Sequence, residues 1–202
     1  MPIPSLSYAC GDGAPPLKGA TIGEVLEQSA QLYPDTEALV TCPQRVRLSY
    51  AQLDARVSQI AKGFLQLKVK KGDRIAIWAA NCAEWVLTQF ATARIGAILV
   101  NINPAYGTRE LEYALKQSKT QTLIFQSHLK RSNYVAMLEE ICPEISKCAA
   151  GHLQSRKFPQ LKNLIFLGTE KPHDWLTWND LENLDASRSD GILADREASL
   201  AF

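Results

Sequence analysis

Between residues 74 and 167 the chain alternates short, almost wholly apolar runs with amphipathic stretches, and few folds accommodate that order. Arg74–Ala79 (RIAIWA), Ala97–Ile102 (AILVNI), Thr122–Phe125 (TLIF) and Leu164–Leu167 (LIFL) are too short for helices and too apolar for half-exposed strands. They read as strands buried on both faces. Between them, residues 83–94, 108–118 and 134–141 carry apolar side chains at helical spacing. The order strand, helix, strand, helix, strand, helix, strand predicts an α/β fold with a mostly parallel sheet and helices on both faces. With right-handed crossovers it forms a Rossmann-like layer.

The segment before this layer has its own punctuation. Thr21 and Glu24 have capping-box spacing, and Ile22, Val25, Leu26 and Tyr33 follow before Pro34 ends the helix. Residues 38–41 and 46–50 flank Cys42-Pro43-Gln44-Arg45 and predict a small hairpin. Ser49 and Gln52 repeat the box, and Leu53, Val57, Ile60 and Phe64 then form one apolar stripe. Asn81 is the expected cap of the 83–94 helix and Gly96 its left-handed terminator. Three regions follow: an irregular arm over 1–19, an α/β subdomain over 20–168, and a polar connector over 169–202 anchored by Trp175 and Trp178.

Composition then narrows the function. The 202 residues hold 22 Lys+Arg and 21 Asp+Glu, a net charge of +1, which argues against sequence-independent nucleic-acid binding. No apolar run reaches transmembrane length, and residues 1–19 lack the pattern of a secretory signal or an Arg-rich transit peptide. Cys10, Cys42, Cys82, Cys142 and Cys148 are scattered without C-x-x-C spacing, and His128, His152 and His173 pair with none of them, so no metal site is expected. Free thiols suit a cytoplasmic protein. No strand is followed by G-x-G-x-x-G, and neither G-x-x-x-x-G-K-[ST] nor G-x-S-x-G occurs. Gly11-x-Gly13 stands outside any strand–helix context. Glu139-Glu140, Glu110 and Glu112 read as solvated helix charges, and no catalytic residue is assigned.

RLSYAQLDARVSQIAKGF (47–64), VKKGDRIAIWAANCAEWVLTQFATARIGAILVNINPAY (69–106) and TRELEYALKQSKTQTLIF (108–125) resemble the N-terminal part of acyl-CoA synthetases. These belong to the adenylate-forming, AMP-binding superfamily. The wording NINPAY…ELEYAL is most similar to the medium- and long-chain fatty acyl-CoA ligases, although Gly107 stands where similar ligases often carry Arg. The resemblance covers residues 20–170. It implies an incomplete N-terminal part of an adenylation domain, with ATP, Mg²⁺ and CoA as cofactors of the full-length family and fatty acid and CoA as partners.

The implied reaction has two steps. A fatty acid carboxylate attacks the α-phosphate of ATP, giving acyl-adenylate and pyrophosphate; the CoA thiol then displaces AMP. The family's Thr/Ser/Gly-rich phosphate loop and later motifs do not occur in these residues. Asp195–Phe202 (DREASLAF) resembles the acidic lead-in and strand that deliver the chain to that loop. A chain without the loop is expected to be inactive alone, and to need a downstream part of the synthetase or to self-associate. By resemblance to an ARIGA segment of acetyl-CoA synthetases, Arg94 is the candidate contact for the CoA 3′-phosphate, set against the plainer reading of a cation complementing the last turn of a helix. Asn101, Asn103 and Tyr106 follow a strand's carboxyl end, as ligand residues or as a turn. A non-catalytic CoA- or nucleotide-binding module derived from the same fold is the alternative.

Overall fold

A computed structural model describes residues 18–149, 151–184 and 189–200. Helix α1 (Ile22–Leu32) opens on the Thr21/Glu24 box, with both reciprocal bonds made. Strands β1 (Glu37–Thr41) and β2 (Val46–Ser49) pair antiparallel as the expected hairpin. Ser49 and Gln52 then cap α2 (Tyr50–Gln66). The alternating core follows: β3 (Arg74–Trp78), α3 (Ala83–Ile95), β4 (Ile98–Asn101), α4 (Thr108–Ser118) and β5 (Thr122–Phe125). A two-residue ribbon, β6 (His128–Leu129) and β7 (Ser132–Asn133), precedes α5 (Tyr134–Ile141). The chain returns through β8 (Asn163–Phe166), β9 (Leu176–Thr177), α6 (Trp178–Glu182) and α7 (Asp190–Ala198).

The main sheet runs in the order β4-β3-β5-β8-β9, and every neighbouring pair is parallel. Strand alternation divides its side chains between two cores. Ile75, Ile77, Ile124 and Ile165 pack under α1, α2, α3, α6 and α7. Ala76, Trp78, Leu123, Phe125, Leu164 and Phe166 pack under α4 and α5 on the other face. Both faces are covered over β3, β5 and β8, which is why those strands carry so few polar residues, whereas the edge strand β4 leaves Ile98 and Asn101 exposed.

Three expectations are revised. The cap of α3 is Cys82, which makes no side-chain cap bond; the Ala83 N–H is met instead by Gln44 Oε1 of the hairpin at 2.7 Å, a partner distant in sequence. The segment expected as a connector contributes the last strand, since Leu176 and Thr177 pair with Ile165 and Phe166. Of the lead-in and strand expected over 195–202, residues 195–198 end helix α7 and 199–200 form a turn, with Arg196 donating to the Ile95 carbonyl at 3.1 Å. Ala201 and Phe202, like Cys10, Gly11 and Gly13, lie outside the described residues.

Candidate functional site

The direction of strand addition reverses between β3 and β5: β4 lies on one side of β3, and β5, β8 and β9 lie on the other. In parallel α/β sheets the carboxyl edge at such a reversal is where ligands enter. Gln126 closes the reversal itself. Its Oε1 accepts the Ala80 N–H at 3.0 Å and its Nε2 donates to the His128 carbonyl at 2.7 Å. Beside it, past the ends of β5 and β8, opens a crevice of about 480 Å³.

The β6–β7 ribbon forms one wall of this crevice, with Ser127, His128, Lys130, Arg131, Ser132 and Asn133; Phe166, Glu170 and Pro172 lie opposite. His128 pairs with Asn133 and Leu129 with Ser132, leaving Lys130-Arg131 as a two-residue loop. Lys130 sits at φ +52°, a conformation that Gly adopts without steric cost and that a lysine adopts only at a penalty. The ribbon is anchored at its base. The Tyr134 N–H donates to the Ser127 carbonyl at 3.0 Å, and Asn133 Oδ1 accepts the Ala136 N–H at 3.1 Å to cap α5. The Tyr134 ring stacks on Trp78 at 3.6 Å and 4°, while its hydroxyl donates to the Pro104 carbonyl. Burial pushes that phenol's pKa up, so Tyr134 is a structural hydroxyl.

Chemically, the crevice presents two cations, an imidazole and two hydroxyls against one carboxylate, Glu170, a set in which donors for anionic oxygen predominate. Ser127 Oγ lies 2.8 Å from His128 Nδ1, with Ser127 half-buried and His128 exposed. Phe166 is fixed by Phe125 and Trp175, with ring centroids 5.6 and 6.3 Å away. Gly168 is required behind it, because a side chain there would collide with the Phe166 ring.

Arg94 lies elsewhere. It ends α3, and β4 begins four residues later, which places it toward the amino edge of the sheet, away from the crevice. Its guanidinium is 5% exposed, donates to Asp54 and Ser58, and lies 3.5 Å from Glu197. Asn103 serves a turn: its Oδ1 accepts the Ala105 N–H at 2.9 Å and its carbonyl accepts the Tyr106 N–H at 3.1 Å. Asn101 ends the edge strand, and Tyr106 lines a separate groove along α4. Gly107 is the cap residue of α4. Sequence reasoning did not identify Lys130 and Arg131; the available signal was a cation pair five residues beyond an apolar strand, without the glycine that marks most tight loops.

Cys82 stands at the start of α3, where a thiol is ordinarily acidified by the helix. Here burial, reinforced by Glu84, pushes its pKa up to about 12. Among the described residues no group of three His, Cys, Asp or Glu side chains could hold a metal ion.

The chain is thus a parallel α/β layer with a donor-lined crevice at the carboxyl edge of its sheet. The model of the AMP-binding enzyme family matches residues 26–190, so the chain belongs to that family. It is 40% identical over 181 residues to YngI of Bacillus subtilis (strain 168), which carries an acyl-CoA synthetase name; the match covers 90% of this chain and 33% of that protein. It is 42% identical over 171 residues to the mitochondrial medium-chain acyl-CoA ligase ACSF2 of Homo sapiens, covering 85% of this chain and 28% of that one. The fold matches the anthranilate CoA ligase AuaEII with a TM-score of 0.67 at 21% identity, over 82% of this chain and 29% of the other. The chain thus spans about a third of the length of the curated relatives it matches. No helix among the described residues is long and apolar enough to cross a membrane.

Proposed function

We propose that the chain is the N-terminal part of an AMP-forming fatty acyl-CoA synthetase and supplies one wall of its substrate cleft. The family match over residues 26–190, joined to a parallel sheet whose carboxyl edge carries Lys130 and Arg131, is the observation that supports this reading. In the whole reaction a fatty acid carboxylate oxygen attacks the α-phosphorus of ATP and pyrophosphate leaves. The CoA sulfur then attacks the acyl carbonyl and AMP leaves. This chain's part is to bind and orient: the 128–133 ribbon faces an anionic group of the substrate, and the Trp78–Tyr134 stack holds the ribbon in place. No residue here is assigned to phosphoryl chemistry, so the chain alone should release no pyrophosphate when given fatty acid and ATP. Among the described residues Cys42, Cys82, Cys142 and Cys148 are free thiols, which supports placement in a reducing compartment such as the cytoplasm.

Two cationic positions compete for a CoA phosphate. Arg94 is the one expected from the ARIGA segment, but its guanidinium already holds Asp54 and Ser58. Lys130 and Arg131 have no ion-pair partner among the described residues, which favours them. Calorimetric titration of the chain with CoA tests this. Lys130→Ala with Arg131→Ala should weaken binding about tenfold, the scale of one or two charge-assisted hydrogen bonds. Binding weakened only by Arg94→Ala would return the contact to Arg94. Absence of CoA binding would leave the wall without a ligand role of its own.

A further inference from the structure

At the opposite end of the sheet, where the strands begin, a second pocket of about 460 Å³ lies between the turn after α2 and the approach to β8. Lys68, Lys70 and Lys162 line it, and none of the three is ion-paired among the described residues. The pocket contains one carboxylate, Asp73, and it is already engaged. Its Oδ2 accepts the Lys70 N–H at 2.8 Å and its Oδ1 accepts from Gln121 Nε2 at 3.3 Å. Gln121 in turn receives the Arg74 N–H at 2.6 Å, which ties this carboxylate to the start of β3.

The pocket's floor is polar and fixed. Thr122 is fully buried and Asn163 is 7% exposed; Asn163 Nδ2 donates to Thr122 Oγ1 at 3.1 Å across β5 and β8. The rim that carries Lys68 is set as well. Lys68 sits at φ +62°, its N–H donating to the Leu65 carbonyl at 2.9 Å, and the Val69 N–H follows to Phe64 at 3.1 Å. Leu67, Val69 and Pro159 complete the walls.

Three ammonium groups against one occupied carboxylate leave a positive pocket in a chain whose net charge is +1. Its volume falls in the range of small-molecule sites, about 300–1,000 Å³, larger than a lone phosphate fills. We propose that this pocket binds a diphosphate-bearing small molecule through Lys68, Lys70 and Lys162. The site is separate from the crevice at the carboxyl edge, since the full length of the strands lies between them. Its occupant neither needs nor displaces a ligand of the 128–133 ribbon.

Calorimetric titration of the full chain with sodium pyrophosphate in metal-free buffer tests the proposal, with inorganic phosphate and phosphatidylserine-containing vesicles as parallel arms. Saturable pyrophosphate binding is expected, tighter than that of inorganic phosphate, and weakened about tenfold or more by Lys68→Gln with Lys162→Gln. Both lysines are exposed, so the variant should keep the parent's circular dichroism and melting temperature. The Lys130→Ala, Arg131→Ala variant should bind pyrophosphate as the parent does. That arm separates this site from the proposed CoA contact, which fails or survives on its own titration. Absence of saturable binding overturns the proposal, as does binding that the Lys68/Lys162 variant leaves intact. Lysine-dependent binding to vesicles without binding to pyrophosphate also overturns it.

Discussion

Arg94 shows how one buried charge can organise four helices. It leaves α3, donates to Asp54 and Ser58 of α2 and meets Glu197 of α7, and its methylenes fill the space beside Gly23 of α1, where an added Cβ would lie 3.0 Å from Arg94 Cγ. Removing one partner of a buried pair costs about 3–5 kcal/mol, but Asp54 and Glu197 keep some water contact, so Arg94→Met should cost about 2 kcal/mol. Chemical denaturation would show it as a lower midpoint with unchanged slope. Arg94→Lys should recover little, because an ammonium cannot span two partners as the planar fork does. Glu197 carries the pH dependence of this cluster. Burial raises its pKa; Arg94 opposes that shift, while Glu27, Asp54 and Glu24 add to it. The folded chain therefore holds the Glu197 proton more tightly than the unfolded chain, and stability from this group falls as pH rises from the ordinary glutamate range through the raised folded value. Glu197→Gln should remove that fall. Melting curves taken from acid to neutral pH should show the variant gaining on the parent as pH increases. A gap that stays constant with pH would mean that Glu197 does not titrate differently on folding.

Among the elements, those whose signals are local were legible and those held by distant partners were not. The boxes at Thr21 and Ser49, the four central strands and the Gly96 terminator each depend on residues within one turn or one strand of themselves. The α3 cap moved to Cys82 because its donor is answered from the hairpin by Gln44, a partner that no local window contains. The 128–133 ribbon was missed because Lys130 takes the left-handed position that a glycine or asparagine would have announced. Strand β9 is two residues long and gains its identity from β8 alone. Helix α6 depends on similar long-range contact. Gly63 of α2 lets α6 approach so closely that an added Cβ would lie 2.7 Å from the Leu181 carbonyl. That atom is backbone and cannot swing aside, so Gly63→Ala should cost about 1–3 kcal/mol despite its better helix propensity. Gly19→Ala, which meets nothing within 4 Å, is the control. Equal midpoints for the two variants would show that α6 shifts without penalty.

At the scale of the molecule, the layer order was legible because both faces of the sheet are buried, a condition written directly into runs such as RIAIW and TLIF. The site was less legible, since a crevice belongs to the ends of several strands and no single segment encodes it. The two edges of the sheet also differ in a way that only topology reveals. At β9 the edge is two residues long and runs directly into α6, with Trp178 buried beside it. At β4 the edge is four residues of ILVN without lysine or proline, and Ile98 is 47% exposed. The Ile98 and Ile102 N–H groups donate inward to Asp73 and Ile77, so the alternate residues Leu99 and Asn101 turn their backbone groups outward. Such an edge is a template for pairing, and the exposed rings of Tyr106 and Tyr113 extend its apolar surface along α4. The chain expressed alone should therefore self-associate. Ile98→Lys supplies the charge with which natural edge strands block pairing, and should shift the molecule toward monomer in light scattering across a concentration series while leaving its melting temperature within a few degrees. Asn101→Pro, which removes an outward N–H, should act in the same direction, and Asn101→Ala should not. A parent chain that is monomeric at every concentration would show that the open edge of β4 does not drive association.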